Sequence, residues 1–435
     1  MRYPIWTALA LASALALAGC GGGGGGSSAP TLSTVSSVNA ASKAPTAAPA
    51  GGFKAMVVFG DSLSDDGAYT LAAVSTYGAQ VPFTGLPYPA GGQFTVNGAA
   101  TGNWTNVLAK GLGIGLSPNL IGYAGNYLNP LSPTPSTSPV YCPFGPTSSC
   151  YDFAQGGSMV SNPNGIGHST GALTIPVTQQ VQNYLTQFST FTSGQLITVL
   201  AGNNDIFTAL GTVSAQVTQA VTQAATQAAQ AGTPLTPAQI ASVQQQATSQ
   251  AVAVAQATVG APADQLAGVV QNIIAKGGQY VLVYTLPDSS VTPFGRGLPY
   301  TGASPPVAPP AGYVCNNQDP TQPCYLLSNL VQVFNQRLTN DLQGQPVKML
   351  DGFALLNQEI ANPTQFGFTN TTTPWCNPAT TSSLLCNLNT PFTAAGATTA
   401  NLGTWLFADS VHPTPAGYQV IANATLQAMK GFGWN

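Results

Sequence analysis

The sequence predicts an α/β fold, a parallel sheet with helices on both faces. Two observations carry this. Short apolar runs rich in β-branched residues recur along the chain and stop at small residues or proline, and segments of helical periodicity lie between them. Strands buried on both faces read as continuous apolar runs rather than as alternation.

The elements come in order along the chain. Phe53-Lys54-Ala55-Met56-Val57-Val58-Phe59 is too short for a helix and reads as a buried strand ending at Gly60. Gln195 to Leu200 is a second strand, ending at Ala201-Gly202, and Gln279 to Tyr284 a third, ending at Leu286-Pro287. Val347 to Leu350 is a fourth. Helical patterns cover Val177–Phe188, Leu326–Leu342 and Gly352–Ile360. Residues 213–276 stand apart, being almost entirely Ala, Gln, Thr and Val. Gly232-Thr233-Pro234 breaks that segment, and Thr236-Pro237-Ala238-Gln239 restarts a helix with Thr236 as N-cap, Pro237 at N1 and Gln239 at N3. The segment reads as a helical hairpin inserted in the domain, either a lid or an elaborated edge. Pro- and Cys-rich loops at 287–325 and 362–405 would wall a substrate cleft.

Composition bounds the function. Of 435 residues only 5% are charged, against roughly 25% in an average soluble protein. The net charge is -3, and with no basic stripe nucleic acid is excluded as a partner. At the N-terminus, Arg2 precedes an apolar run, Ala8 to Ala18, too short to span a bilayer. Leu17-Ala18-Gly19-Cys20 resembles the lipobox of bacterial lipoproteins. That resemblance implies a signal peptide over 1–19, cleavage before Cys20, and a lipid on Cys20 that anchors the protein to a membrane. Gly21 in place of Asp implies the outer membrane, on a periplasmic or surface face. The alternative is a plain signal peptide with a chance cysteine. Residues 20–52, rich in Gly, Ser, Ala and Pro, read as a flexible tether, leaving 53–435 as the folded domain. The six other cysteines form three close pairs, Cys142–Cys150, Cys315–Cys324 and Cys376–Cys386. Of 15 connectivities, clustering favours these, in an oxidising compartment. Spacing does not suit zinc.

The chemistry begins where the first strand ends. Gly60-Asp61-Ser62-Leu63 puts a serine at a strand-to-helix turn, on the side of an open sheet where reactive crevices form. Serine needs a base. The chain has two histidines, His168 and His412. His412 comes three residues after Asp409, close enough for the carboxylate to hold Nδ1 and leave Nε2 for the serine.

These residues resemble the blocks of the SGNH (GDSL) hydrolase family, in order, from about residue 53 to the C-terminus. Gly60-Asp61-Ser62-Leu63 resembles the first block, Phe153-Ala154-Gln155-Gly156-Gly157-Ser158 the second, Gly202-Asn203-Asn204-Asp205 the third and Asp409-x-x-His412 the last. Gly92-Gln93-Phe94-Thr95-Val96-Asn97-Gly98, with Trp104 after it, is a looser counterpart of a "GRFSNG" stretch, with Arg replaced and one residue inserted. Asn362–Asn370 also resembles a stretch of bacterial members, and Asp152 stands where Asn is usual. The resemblance implies a flavodoxin-like three-layer α/β/α sandwich with about five parallel strands. It implies Ser62 as nucleophile, His412 as base and Asp409 as its orienting acid. The oxyanion hole would comprise the Ser62 N–H, the Gly157 N–H and the Asn204 side-chain amide. No cofactor or metal is implied, and a monomer is expected.

The expected function is hydrolysis of carboxylic esters through an acyl-enzyme. Loop aromatics (Phe83, Tyr88, Phe94, Trp104, Tyr123) favour a lipid or other acyl ester. A carbohydrate O-acetyl esterase or an acyltransferase would use the same site. A different class, a non-catalytic surface-binding lipoprotein, has no need of all five site residues. Gly167-His168-Ser169-Thr170-Gly171 matches the G-x-S-x-G elbow of α/β-hydrolases. Loop residues precede it, however, and Pro176 interrupts any helix after it, so it reads as a chance match. Asp65 and Asp66 are expected to cap a helix after Ser62, Asp61 to hold the loop, and Asp205 to cap or accept a hydrogen bond. The single glutamate, Glu359, falls on a helix.

Overall fold

The computed structural model describes residues 34–72, 91–129, 135–143, 145, 149–297, 314–319 and 322–434. Cys20, the leader, Phe83 and Tyr88 lie outside the described residues. In chain order the elements are α1 (Ser36–Ala41), β1 (Ala55–Gly60), α2 (Trp104–Gly111), β2 (Gly122–Tyr123), β3 (Asn126–Tyr127), α3 (Val177–Phe188), β4 (Gln195–Leu200), α4 (Asn203–Gln230), α5 (Pro237–Thr258), α6 (Gly260–Ala275), β5 (Tyr280–Tyr284), α7 (Pro293–Arg296), α8 (Pro323–Asp341), β6 (Val347–Leu350), α9 (Gly352–Ala361) and α10 (Pro415–Phe432).

The apolar runs do form the core sheet. Its strands are parallel, in the order β1-β4-β5-β6. Every residue of β4, β5 and β6 is buried, as a sheet covered on both faces requires. Helices flank it: α3 and α8 each pack on α6, and α2 packs on α10. The C-terminal strand ends align, with Gly60 beside Leu200, Val199 beside Val283 and Tyr284 beside Leu350. Residues just past the strand ends therefore open into one crevice.

Among the described residues the sheet has four strands, not about five. Beyond β1 lies a rudiment of a fifth, where the Val58 N–H donates to Tyr151 O (3.0 Å) and the Phe153 N–H to Val58 O (2.9 Å). That segment follows β1 as far as the Gln155 N–H, which donates to Gly60 O (3.2 Å), and Gly156-Gly157 then turns it into the crevice.

The tether expectation fails over residues 34–52. Thr34 pairs antiparallel with Leu350, and the Asn39 side chain exchanges two hydrogen bonds with the Met349 backbone, both 2.8 Å. Val38 is buried, and the Trp434 indole N–H donates to Pro45 O (2.6 Å). β6 is an edge strand with unpaired backbone groups, and this segment covers them.

The insertion is also shorter than 213–276. The break at Gly232 and the Thr236/Gln239 capping box occur as expected. But α6 is a sheet-covering crossover helix whose Ala263, Leu266, Ala267, Val270 and Ile273 are buried in the core. The projecting hairpin is α4 and α5 alone. The three cystines pair as expected, Cys142–Cys150, Cys315–Cys324 and Cys376–Cys386. No helix among the described residues is long and apolar enough to cross a membrane.

Candidate active site

β1 delivers Gly60-Asp61-Ser62 to the crevice. A side chain at Gly60 would collide with the Leu200 carbonyl of β4, so the strands can close up only on glycine. Asp61 fixes the turn: Oδ1 accepts the Leu63 N–H (3.1 Å) and Oδ2 accepts from Asn203 Nδ2 (2.9 Å). Burial pushes its carboxyl above the usual range. Asp65 Oδ1 accepts the Gly67 and Ala68 N–H groups (2.8 and 2.7 Å), capping a single turn, and Oδ2 accepts the Gly156 N–H (2.8 Å). Burial raises its acid to about 7. Asp66 does not cap. Its Oδ1 accepts from Gln93 Nε2 (2.7 Å), while Oδ2 is buried without a partner.

Ser62, His412 and Asp409 lie in one line. His412 Nε2 is 2.8 Å from Ser62 Oγ, and Nδ1 is 2.9 Å from Asp409 Oδ2. Asp409 Oδ1 accepts the Val411 and His412 N–H groups (2.8 and 2.7 Å), and Oδ2 accepts the Ser383 N–H (3.2 Å). Burial opposes charge on Asp409, but the adjacent imidazole and these donors outweigh it and hold the acid well below the usual carboxylate range. A carboxylate so held can stabilise an imidazolium without taking its proton.

Sequence reasoning missed Ser383. Its Oγ lies 3.0 Å from His412 Nδ1, beside the Asp409 carboxylate. It belongs to the loop closed by Cys376–Cys386, and that cystine was the only signal that the loop is fixed. The Phe94 ring lies 5.1 Å from the imidazole, centroid to centroid.

Gly157 and Asn204 reach the same cavity as Ser62 and His412, a space of about 480 Å³. Gly157 has φ +75°, and a side chain there would strike the Ile166 carbonyl. Among the described residues neither the Ser62 nor the Gly157 N–H meets an acceptor. Asn204, in the first turn of α4, donates one amide hydrogen to Ser158 O (2.9 Å) and keeps the other. Unpaired donors beside a serine–imidazole pair can stabilise a developing oxyanion. Tyr69, Phe94, Tyr123, Phe207 and Phe407 are among the walls. Trp104 is not; it is buried behind the site against Tyr284 (centroids 5.0 Å).

The 92–98 stretch proves to be a clamp. Gln93 holds the nucleophile loop through Asp66, and the Thr95 hydroxyl donates to Pro413 O (3.0 Å) beside His412. Asn97 Nδ2 donates to the carbonyls of Cys386 (2.8 Å) and Ser383 (3.2 Å). One short segment thus ties together the loops of Ser62, His412 and Ser383. Asp152 supports it from below: Oδ2 accepts the Asp66 N–H (2.6 Å) and Oδ1 the Ala154 N–H (2.9 Å). Burial, then the neighbouring Asp66, pushes the Asp152 acid well up. Asp205 accepts the Val160 N–H (3.0 Å), and burial raises it to about 7.

Ser169 occupies a short 3₁₀ turn, His168–Thr170, with no strand before it. It is exposed, and His168 Nδ1 pairs with Thr174 Oγ1 (3.0 Å) instead. The G-x-S-x-G match lacks its elbow. Among the described residues no group of His, Cys, Asp or Glu side chains is arranged to hold a metal ion.

The GDSL-like Lipase/Acylhydrolase family matches residues 56–425. A Pseudomonas putida protein described as "Uncharacterized protein in trpE-trpG intergenic region" is 33% identical over 177 residues. That match takes in 39% of this chain and 25% of the relative. From the family match across nearly the whole folded chain, the protein belongs to the GDSL-like lipase/acylhydrolase family, a family of ester and acyl hydrolases.

Proposed function

We propose that the protein hydrolyses carboxylic esters by a Ser62–His412–Asp409 mechanism. The observation that carries this is the unbroken hydrogen-bonded line from Ser62 Oγ through His412 to Asp409. His412 Nε2 takes the Ser62 proton as Oγ attacks the ester carbonyl, and Asp409 steadies the imidazolium. The carbonyl oxygen, now negative, meets the N–H groups of Ser62 and Gly157 and the free amide hydrogen of Asn204. Removing one such donor costs about 3 kcal/mol of barrier lowering in a serine protease. The tetrahedral adduct collapses, His412 returns its proton to the leaving alkoxide, and an acyl-Ser62 remains. Water, deprotonated by the same imidazole, releases the acid and restores Ser62. The aromatic and aliphatic cavity walls support a lipid-type acyl ester over a sugar acetate. The lipobox-like Leu17-Ala18-Gly19-Cys20 supports a lipid-anchored enzyme at the outer membrane.

The test is an ester series. Wild type, Ser62→Ala and Ser169→Ala, each lacking the leader, are assayed on p-nitrophenyl esters from acetyl to palmitoyl. Loss of turnover in Ser62→Ala alone, with wild-type preference for longer chains, is the expected result. Exclusive release of acetyl would point to a sugar ester. A folded wild type inert on every ester would overturn the proposal in favour of a binding lipoprotein.

A further inference from the structure

The catalytic cavity continues past the triad beneath the C-terminal ends of β4 and β5, where Leu200 and Tyr284 line it, to α9. Three strand spacings separate β1 from β6, so the far end lies on the order of 14 Å from Ser62. Leu356, Phe407 and Tyr284, each under a tenth exposed, line that far part. The other end is open, rimmed by the exposed Ile166 and continuous with a surface groove along α4.

The lobe carries the hydroxyls of Thr285, Ser289 and Thr292 and, among its apolar walls, one carboxyl. Glu359, the only glutamate of the chain, lines the cavity and is 3% exposed. Its Oε1 is buried with no hydrogen-bond partner. Burial alone raises its acid to about 8, so around neutral pH it carries a proton. A buried polar group without a partner costs stability, and native chains keep few of them. A leucine would fill this place at no such cost. Persistence of a carboxyl at the end of an apolar lobe that leads to the nucleophile is accounted for if a ligand supplies the partner.

On the reading that Ser62 forms an acyl-enzyme, we infer that Glu359 recognises a hydroxyl group carried on the distal part of the substrate's acyl chain. A neutral carboxyl offers one O–H donor and one C=O acceptor, and a hydroxyl answers both. An amine would take the proton and leave an ion pair in an apolar lobe, a costly arrangement. The acyl chain, rather than the alcohol, belongs there because the alcohol departs first and needs the open side. The chain stays tethered to Ser62 while water enters. The substrate class is therefore a medium-chain hydroxyacyl ester.

The test compares p-nitrophenyl ω-hydroxyoctanoate with the isosteric nonanoate, on wild type, Glu359→Gln and Glu359→Leu, with p-nitrophenyl acetate as control on wild type. Wild type should favour the hydroxy ester in kcat/KM by at least about ten-fold, since a site built to bond a hydroxyl rejects the analogue lacking it. Glu359→Gln, which keeps a donor and an acceptor, should hold most of that ratio. Glu359→Leu should bring it to one or invert it, while raising the melting temperature because an unpartnered polar group is gone. Wild type that hydrolyses the acetate but shows a ratio near one overturns the inference and leaves the esterase proposal standing. So does a Glu359→Leu variant with the wild-type ratio. Wild type inert on all three esters overturns both.

Discussion

The catalytic crevice and the α4–α5 hairpin are built by opposite rules. Around Ser62 the polar groups are buried and bonded to residues far away in sequence: Asp61 to Asn203, Asp65 to Gly156, Asn97 to Cys386, Ser383 to His412. Beyond Val217, α4 does the reverse. Thr218, Thr222 and Thr226 are exposed and donate to the carbonyls four residues back on the same helix. Long-range bonds between buried groups fix geometry and forfeit tolerance, because removing one partner strands the other. Local bonds on an exposed helix fix nothing beyond their own turn. The chemistry should therefore fail sharply with changes at one end of the molecule and barely register changes at the other.

The largest effect tests the crevice. Asp409→Asn should cost kcat about 10⁴-fold while leaving the fold intact, because the amide reverses the tautomer that Nδ1 must adopt. A loss below ten-fold, read from kcat at saturating ester, would mean that Ser383 and the backbone donors orient His412 without the carboxylate. Next is Asn204→Ala. It removes one oxyanion donor and should lower kcat about 10²- to 10³-fold with KM little changed. An equal rise in KM would show that Asn204 binds substrate rather than the transition state.

A smaller effect concerns the buried acids. Asp152, Asp66, Asp65 and Asp205 all titrate above the usual range in the folded chain. Between the unfolded value near 3.8 and the raised folded values, the native state holds more protons, so stability falls as pH rises through that window. Asp409 acts in the opposite sense, since its depressed acid adds stability above the unfolded value and loses it only in strong acid. The melting temperature should therefore peak in mild acid and decline toward pH 7. Asp152→Asn should flatten the decline while lowering the midpoint in mild acid, because the amide nitrogen cannot accept the N–H group that one carboxyl oxygen holds. Melting curves from pH 4 to 8 check both, and an unchanged slope would acquit Asp152. The smallest effect belongs to the hairpin. Thr222→Ala should shift stability by under about 0.5 kcal/mol, in the stabilising direction, because alanine is the better helix former. A loss above about 1 kcal/mol in a urea titration would show that the hairpin is packed against something on that face.

The same contrast explains what the sequence made legible. Strand runs, α3, and the Thr236 capping box depend on neighbours in sequence, and all were found where periodicity and cap chemistry put them. Ser62 was readable because it follows the end of β1, and His412 and Asp409 because histidines are few and the spacing suits the pair; Gly157 and Asn204 were reached only through the resemblance of their blocks to the family. Ser383 was not, because its place depends on a cystine loop folding back over residues 29 positions distant. Nor was the use of residues 34–52, whose Gly-, Ala- and Pro-rich composition matches a tether while its backbone meets an unpaired strand edge. The assignment of α6 to the insertion failed for a related reason. Alanine serves equally on an exposed hairpin and in a tight crossover, and only the packing separates them.

The central claim is that Ser62, activated by His412, forms the acyl-enzyme. The most direct measurement is covalent labelling with a fluorophosphonate and peptide mass mapping, in wild type and His412→Ala. One label on the peptide carrying Ser62, in wild type and not in His412→Ala, is the predicted result. A label on Ser169, or an ester-hydrolysing protein that takes no label at Ser62, would contradict it.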